Sequence, residues 1–403
     1  MPPGFHLLIA AQFASALADN ALLIVAMAWL DEQGRPAWWA PLLKFSFTLS
    51  YVLLAPFIGP LADALPKARL MAWMNGVKML GVLALFAGMH PVAAYGLVGL
   101  GAATYAPAKY DLVTEMVPAH RLVAANGWIE VSVVCAALLG TVLGGALVSD
   151  LWRGAVQALG HPLMASLAAV WLVYALAALL QIGVPDSGAR YPGTSIRPMD
   201  LVRDFAAANR RLWRDTQGGL SLAVTTLFWG VGATLQFAVL RWAVERLGLG
   251  LDRAAYLQAM VAVGVVAGAA AAGRFVPLAQ AWRVLPAGIL MGGLIVAMAP
   301  LERVGPALPL LALAGIVGGI LVVPMNALLQ HRGHVLLTAG RSIAVQGFNE
   351  NLSILLMLGS YASLLALQVP LVPLMMGFGG LIAAAMALLI WRRSGALRTP
   401  AGT

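Results

Sequence analysis

Residues 12–30 read QFASALADNALLIVAMAWL, an apolar run that carries one acid, Asp19, and one amide, Asn20, near its middle. A run of about 20 apolar residues is long enough to cross the hydrocarbon core of a bilayer as a helix. A carboxylate at that depth costs about 3 kcal/mol on insertion scales, so it needs a partner or a purpose. Two interpretations stay open: Asp19 is a functional group in a transport pathway, or it is a structural acid between helices.

The composition indicates a polytopic membrane protein. Of 403 residues, 61% are hydrophobic and 10% are charged, and the mean hydropathy is +0.87, whereas soluble domains contain about 25% charged residues. The net charge of +9 does not indicate nucleic-acid binding, because the basic residues cluster at the ends of apolar runs. The 43 glycines suit close helix packing in lipid. Cys135 is the single cysteine, which excludes an intramolecular disulfide and a cysteine-built metal site.

Twelve apolar runs of membrane-spanning length follow one another along the chain. They lie at 7–30, 40–62, 69–89, 91–112, 122–148 and 162–184, and then at 217–243, 254–276, 284–300, 306–330, 339–367 and 370–391. With the N-terminus inside, inner segments hold 17 Lys and Arg residues against 6 in outer segments, which predicts that both termini are cytoplasmic. Residues 1–6 do not form the charged start of a signal peptide, so we expect the first run to stay in the membrane.

A polar linker, residues 186–216, divides the chain into segments 1–185 and 217–403, each with six predicted spans. The linker contains six arginines and is too polar to cross a membrane. Its second part, PMDLVRDFAAANRRLWRD at 198–215, alternates apolar residues with arginines. This pattern predicts an amphipathic helix lying on an anionic membrane face.

The two halves contain similar strings in matching spans. In spans four and ten a proline is followed by a polar residue, at Pro107 with Lys109 and at Pro324 with Asn326. In spans five and eleven a glycine, an aromatic residue, any residue and a glutamate follow one another, at 127–130 and 347–350. Internal repeats of this kind are typical of secondary transporters, whose sites lie near the membrane midplane.

Several strings carry a family resemblance. The loop GPLADALPKAR at 59–69 is similar to the Gly-x-x-x-Asp loop of the major facilitator superfamily. Longer strings resemble the bacterial lysophospholipid transporter family, and they are QFASALADNALL (12–23), YAPAKY (105–110), FWGVGATL (228–235), VVPMNALLQ (322–330) and AVQGFNEN (344–351). The resemblance implies an all-α, polytopic membrane protein with a major-facilitator-type bundle of about 12 transmembrane helices in two six-helix halves.

The resemblance also implies a function. The family moves lysophospholipids, chiefly lyso-phosphatidylethanolamine, from the outer to the inner leaflet of the bacterial inner membrane, where an acyltransferase–synthetase re-acylates them. Membrane lipids and this enzyme are the implied partners. One position departs from the family pattern: Gln236 stands where the family has an arginine after the Thr-Leu of span seven. A cation that contacts phosphate must then come from elsewhere in this chain.

A zwitterionic headgroup needs a cation for its phosphate and an anion for its ammonium group. Lys109 is the candidate for the phosphate, with hydroxyls from Tyr105 and Tyr110, unless Lys109 extends to the cytoplasmic interface. Asp19 is the candidate for the ammonium, with Asn20 beside it. Further candidates for substrate contact or for structural ion pairs are Glu130, Gln236 and Glu350. Lys44 or Lys78 would neutralise Asp19 if that acid is structural.

Other polar residues suit conformational control. Asp63, at a cytoplasmic helix end, would pair with Arg69 or Arg121 and hold one state of an alternating-access cycle. Asn326, like the other amides of spans ten and eleven, is expected to join helices and is a weaker candidate for a site.

The sequence lacks the usual signatures of enzymes of lipid and phosphate chemistry. None of the six histidines has an aspartate five positions later, and there is neither a His-Glu-x-x-His string nor a P-loop. We expect no catalytic residues, no metal and no cofactor.

An exporter of drugs or other amphiphiles with the same fold is the main alternative to a lysophospholipid transporter. A receptor or scaffold is a second, but it leaves Asp19, Lys109 and Glu130 unexplained. Coupling to protons or sodium stays open.

Overall fold

The computed structural model describes residues 3–117, 122–186, 198–337 and 339–396, and at some positions inside these ranges it describes the backbone alone. Fourteen α-helices form the regular structure of the described ranges, together with short 3-10 turns at Gln157–Leu159 and Leu278–Val284. The helices are α1 Pro3–Glu32, α2 Trp39–Ala64, α3 Lys67–Phe86, α4 Pro91–Met116, α5 Leu122–Val148, α6 Asp150–Val156, α7 Pro162–Ile182, α8 Pro198–Arg214, α9 Thr216–Leu247, α10 Leu251–Phe275, α11 Leu285–Met298, α12 Val304–Leu336, α13 Ala339–Ala366 and α14 Leu371–Ala396.

Each of the twelve predicted spans coincides with one of these helices, and the all-α prediction is confirmed. Within the described ranges, ten helices are long and apolar enough to cross a membrane by composition alone. The other two spans, α4 and α13, are 26 and 28 residues long and carry Lys109 and Glu350 among other polar side chains. The predicted amphipathic segment is helix α8.

Two structural details differ from the predicted boundaries. Helix α12 continues to Leu336, six residues past the predicted end of its span. The polar residues of its last turns end the apolar run but do not end the helix. A short helix that hydropathy did not predict, α6, follows α5, and the Ser149 hydroxyl caps it by accepting a hydrogen bond from the Trp152 amide at 3.3 Å. Serine is a preferred residue at this capping position.

By its internal contacts the chain falls into two units, residues 1–205 with 250–259 and residues 206–249 with 260–403. In the first unit α1 packs against α5 and α7, and α4 packs against α2 and α3. Gly140 and Gly144 of α5 permit the close approach to α1, because an added Cβ would lie 2.5 Å from the Leu17 carbonyl oxygen and 2.9 Å from that of Ala21. In the second unit α9 packs against α12 and α13, and α11 against α14.

Candidate functional site

The Asp19 carboxylate is held by two side chains from other helices of the first unit. Lys78 Nζ on α3 donates to Asp19 Oδ2 at 2.7 Å, and the Tyr174 hydroxyl on α7 donates to Oδ1 at 2.7 Å. The Lys78 side chain is 2% exposed and that of Asp19 is 15% exposed. Lys78 is therefore the cation that neutralises Asp19. Because a buried charge without a partner would be far more costly than the pair, each residue accounts for the presence of the other.

A cage of polar and aromatic groups surrounds the Lys78 ammonium group. It donates a second hydrogen bond to Ser15 Oγ at 2.9 Å, and the Ser15 hydroxyl donates to Asn75 Oδ1 at 2.7 Å. The ring centres of Tyr105 and Tyr174 lie 5.4 and 5.8 Å from Nζ, within the range of a cation–π interaction. The cage fixes a positive charge beside Asp19 in a mostly apolar bundle.

A second polar cluster lies nearer to the N-terminus of α1. Lys109 Nζ on α4 donates to Gln12 Oε1 at 2.7 Å, and Gln12 Nε2 donates to Ser132 Oγ on α5 at 3.1 Å. Lys109 is 6% exposed, so it faces α1 and does not extend outward to an interface. Tyr105, one turn before Lys109, donates to Gln181 Oε1 on α7 at 3.2 Å, which places its hydroxyl between helices and not in an aromatic belt.

Asn20 and Lys44 have contacts that the sequence did not indicate. The Asn20 amide donates to the Ala16 carbonyl of its own helix at 2.8 Å. Lys44, the other predicted counter-cation, places its ammonium group 4.7 Å from the centre of the Phe47 ring.

The second unit contains an amide-rich cluster of its own. Gln346 Nε2 on α13 donates to Glu350 Oε1 at 2.8 Å and to Asn326 Oδ1 on α12 at 3.1 Å. The structure thus brings together Glu350 and Asn326, which were predicted to have separate roles. Gln236 is half-buried on α9.

Several predicted residues lie wholly or in part outside the residues that the structure describes. The side chains of Asp63, Tyr110 and Glu130 and the whole of Arg121 are outside the described residues, and Arg69 is exposed on α3. Within the described ranges no three His, Cys, Asp or Glu side chains are grouped as metal ligands would be.

The sequence reasoning missed Gln12, Ser15, Asn75, Ser132, Tyr174 and Gln181. A signal for part of the set was present in the spacing. Residues 12, 15 and 19 recur at i, i+3 and i+7, which places them on one face of α1. Asn75 and Lys78 are likewise three residues apart on α3.

Comparison with known proteins agrees with this architecture. The profile described as Major Facilitator Superfamily matches residues 8–357. The lysophospholipid transporter LplT of Escherichia coli (strain K12) is 44% identical over 393 residues, 97% of this chain and 96% of the relative. The protein of the same name from Citrobacter koseri is 43% identical over the same shares.

The chain belongs to the lysophospholipid transporter family of the major facilitator superfamily. Solved structures of other transporters share the fold of this lysophospholipid transporter family member at low identity. The nucleoside transporter NupG has a TM-score of 0.70 at 12% identity, covering 96% of this chain and 98% of its own. The POT family transporter PepTSo has a TM-score of 0.71 at 13% identity, with 99% of both chains covered. A bacterial homologue of the lysosomal transporter Spinster has a TM-score of 0.68 at 17% identity over 96% of this chain and 95% of its own.

Proposed function

We propose that this protein moves lysophospholipids, chiefly lyso-phosphatidylethanolamine, from the outer to the inner leaflet of a bacterial inner membrane by alternating access. The observation that carries the proposal is the 44% identity over 97% of the chain to a lysophospholipid transporter. The segments 1–185 and 217–403 would be the two moving halves, with 186–216 as a cytoplasmic linker. Both termini would be cytoplasmic, in keeping with the distribution of basic residues.

The Asp19–Lys78 pair is suited to recognise a zwitterion. Without substrate the two charges neutralise each other at 2.7 Å. An ethanolamine headgroup brings one ammonium group and one phosphate, so its ammonium replaces Lys78 at Asp19 while its phosphate replaces Asp19 at Lys78. After the exchange Asp19 pairs with the ammonium group and Lys78 pairs with the phosphate, so no buried charge is left without a partner. The tyrosine rings and the Ser15 hydroxyl hold Lys78 in position throughout.

Lys109 provides a second position for the phosphate. It lies on the side of Asp19 toward the N-terminus of α1, and its ammonium group donates to Gln12 Oε1 at 2.7 Å. A phosphate oxygen attracts an ammonium group more strongly than an amide oxygen does, because both partners are then charged. A phosphate that leaves Lys78 toward the cytoplasmic side would therefore meet Lys109 next.

The remaining candidates have supporting roles in this proposal. Asn20, Tyr110, Glu130, Gln236 and Glu350 would be further substrate-contacting residues, and Gln236 stands where the family pattern has an arginine. Asp63, Arg69, Arg121 and Asn326 would hold one state of the cycle. The protein itself would perform no covalent chemistry, and an acyltransferase–synthetase on the cytoplasmic side would consume the transported lysophospholipid.

Uptake of labelled lyso-phosphatidylethanolamine by spheroplasts tests the proposal, with the wild type, Asp19→Asn and a matched control. The control, Asp150→Asn, makes the same chemical change at an exposed residue of α6. We expect uptake by the wild type and the control and loss of uptake in Asp19→Asn. Uptake by all three would leave the cargo in place and make Asp19 structural. No uptake by the folded wild type would contradict the proposal and favour the amphiphile exporter.

A further inference from the structure

A groove with a cavity volume of about 590 Å³ runs along the first unit, with α1 as its floor and α5 and α7 as its walls. Its lining extends from His6 to Leu17 on α1, from Trp128 to Cys135 on α5 and from Leu180 to Val173 on α7. On each helix the lining residues recur with the i, i+3, i+4, i+7 spacing of one helix face, so each helix contributes one face. The groove therefore runs parallel to the helices and along the membrane normal.

The length of the groove matches one leaflet. The lining on α1 covers eleven residue steps, or about 17 Å at 1.5 Å per residue. One leaflet of a bilayer is about 20 Å thick when its headgroup region is included, so the groove covers the headgroup region and most of the acyl region. A groove of this length, almost wholly apolar, accommodates the tail of a lipid from the leaflet on the side of the N-terminus of α1.

The two ends of the groove differ in chemistry. His6 and Trp128 are exposed and lie at the end nearest the N-termini of α1 and α5. Tryptophan is enriched where a membrane meets water, so this end lies at the headgroup level. The other end is formed by Leu17, Cys135 and Val173, deep in their spans. A lipid would place its headgroup beside His6 and its tail toward Leu17.

One hydroxyl interrupts the apolar lining, and it favours a lipid with a single acyl chain. Ser132 lies four residues after Trp128, about 6 Å farther along the helix toward the membrane centre. The interfacial region of a bilayer is about 5–8 Å thick. With Trp128 at the headgroup level, Ser132 therefore lies at the boundary between the interface and the hydrocarbon core. The glycerol of a lysophospholipid lies at that depth and carries a free hydroxyl where a diacyl lipid carries its second chain. Ser132 is also joined through Gln12 to Lys109, which connects the groove to the polar cluster.

We propose that this groove is a binding site for one lysophospholipid molecule, with its acyl chain along α1 and its glycerol hydroxyl at Ser132. The site rests on the proposed function for the identity of the ligand. Ser132 joins the groove to Gln12 and through it to Lys109, so the site holds the lipid within the first unit, on the side of the N-terminus of α1.

Photo-crosslinking tests the site with the full-length protein in membrane vesicles. The probe is lyso-phosphatidylethanolamine with a diazirine in its acyl chain, and labelled positions are mapped by mass spectrometry. The variant Ala10→Trp fills the groove at an exposed alanine, and Ala168→Trp makes the same change at an exposed alanine of α7 outside the groove. We expect labelling within 128–135 and 173–180 that falls about tenfold in Ala10→Trp and is unchanged in Ala168→Trp.

The outcomes separate this site from the proposed function, because uptake by spheroplasts is measured on the same proteins. Uptake by the wild type with labelling that Ala10→Trp leaves unchanged would overturn the groove site and leave the function in place. Labelling that Ala10→Trp removes, without uptake, would support the site and contradict the function. Excess unlabelled lyso-phosphatidylethanolamine should compete with the probe. Equal competition by the diacyl lipid would overturn the assignment to a lysophospholipid.

Discussion

At the scale of single residues, two buried tyrosines donate hydrogen bonds to different atoms of Asp19. The Tyr174 hydroxyl donates to the carboxylate at 2.7 Å, whereas the Tyr95 hydroxyl donates to the backbone carbonyl at 2.9 Å. Both side chains are buried to 1% exposure or less. Removal of either hydroxyl therefore makes nearly the same change in packing, and only one of the two changes alters the charged group.

We predict that Tyr174→Phe lowers lysophospholipid uptake about fivefold, the effect of about 1 kcal/mol expected for a strong hydrogen bond between membrane helices. The reason is that the carboxylate loses the Tyr174 hydroxyl, one of its two hydrogen-bond donors, and keeps Lys78. Tyr95→Phe should change uptake less than about threefold, because hydrogen bonds of this class average about 0.6 kcal/mol. Concentration-dependent uptake at equal expression measures both. Equal losses in the two variants would mean that packing, not the carboxylate contact, sets the rate.

The polar contacts were predictable only in part at this scale. Asp19 and Lys78 stood out because charges are rare in apolar runs, and Lys78 was one of two predicted counter-cations. Tyr174 and Gln181 gave no such signal, since a tyrosine or glutamine in an apolar helix is compatible with many surroundings. Asn20 shows the converse: it stands next to Asp19 in sequence, yet its amide donates to its own helix, because adjacent helix residues point in different directions.

At the scale of helices, glycines set the approach of α10 to α12 in the second unit. A Cβ added at Gly268 would lie 2.0 Å from the Ile316 carbonyl oxygen, whereas one added at Gly293 of α11 would meet nothing within 4 Å. Alanine is otherwise favoured over glycine in a helix by about 1 kcal/mol. We predict opposite shifts in thermal unfolding in detergent: Gly293→Ala raises the unfolding temperature, and Gly268→Ala lowers it. A rise in both would show that α10 and α12 separate without cost.

A salt bridge at the start of α9 links that helix to α12. Arg332 donates to both carboxylate oxygens of Asp215, at 3.0 and 2.5 Å, and the Gly218 amide donates to Asp215 Oδ1 at 2.7 Å. The Arg332 guanidinium and this amide hold the pKa of Asp215 below its ordinary value of 3.8. A lowered pKa means that the pair stabilises the fold above pH 3.8 and that this contribution is lost as the pH falls through the folded-state pKa.

Asp215→Asn keeps a residue that caps the helix well but removes its charge. We predict that it lowers the unfolding temperature at pH 7, and that its difference from the wild type shrinks as the pH falls below about 4. Asp215→Ala removes the cap as well and should cost about 1 kcal/mol more at every pH. Thermal unfolding of the three proteins from pH 7 to pH 3 measures this. A difference that does not change with pH would assign the effect to the cap alone.

At the scale of the whole molecule, the bilayer made the number and order of the long, apolar helices predictable. Each predicted span became a helix because a backbone in hydrocarbon must satisfy its own hydrogen bonds. Which helices are neighbours was not predictable in the same way. Lys78 and Asp19 are separated by 59 residues in sequence, and hydropathy is nearly uniform around such helices, so it does not indicate which face meets which neighbour.

Orientation in the membrane remains the prediction on which the direction of transport depends. Inner segments hold 17 of the Lys and Arg residues against 6 in outer segments, a bias that places both termini in the cytoplasm. In a Cys135→Ser background, the structure offers two exposed reporter positions, Arg35 between α1 and α2 and Ala206 on α8. We predict that a membrane-impermeant maleimide labels Arg35→Cys in intact spheroplasts and labels Ala206→Cys only after permeabilisation. The reverse labelling pattern would mean that the protein has the opposite orientation in the membrane. It would place the His6 end of the groove in the outer leaflet, the leaflet from which we propose that lysophospholipids are taken up.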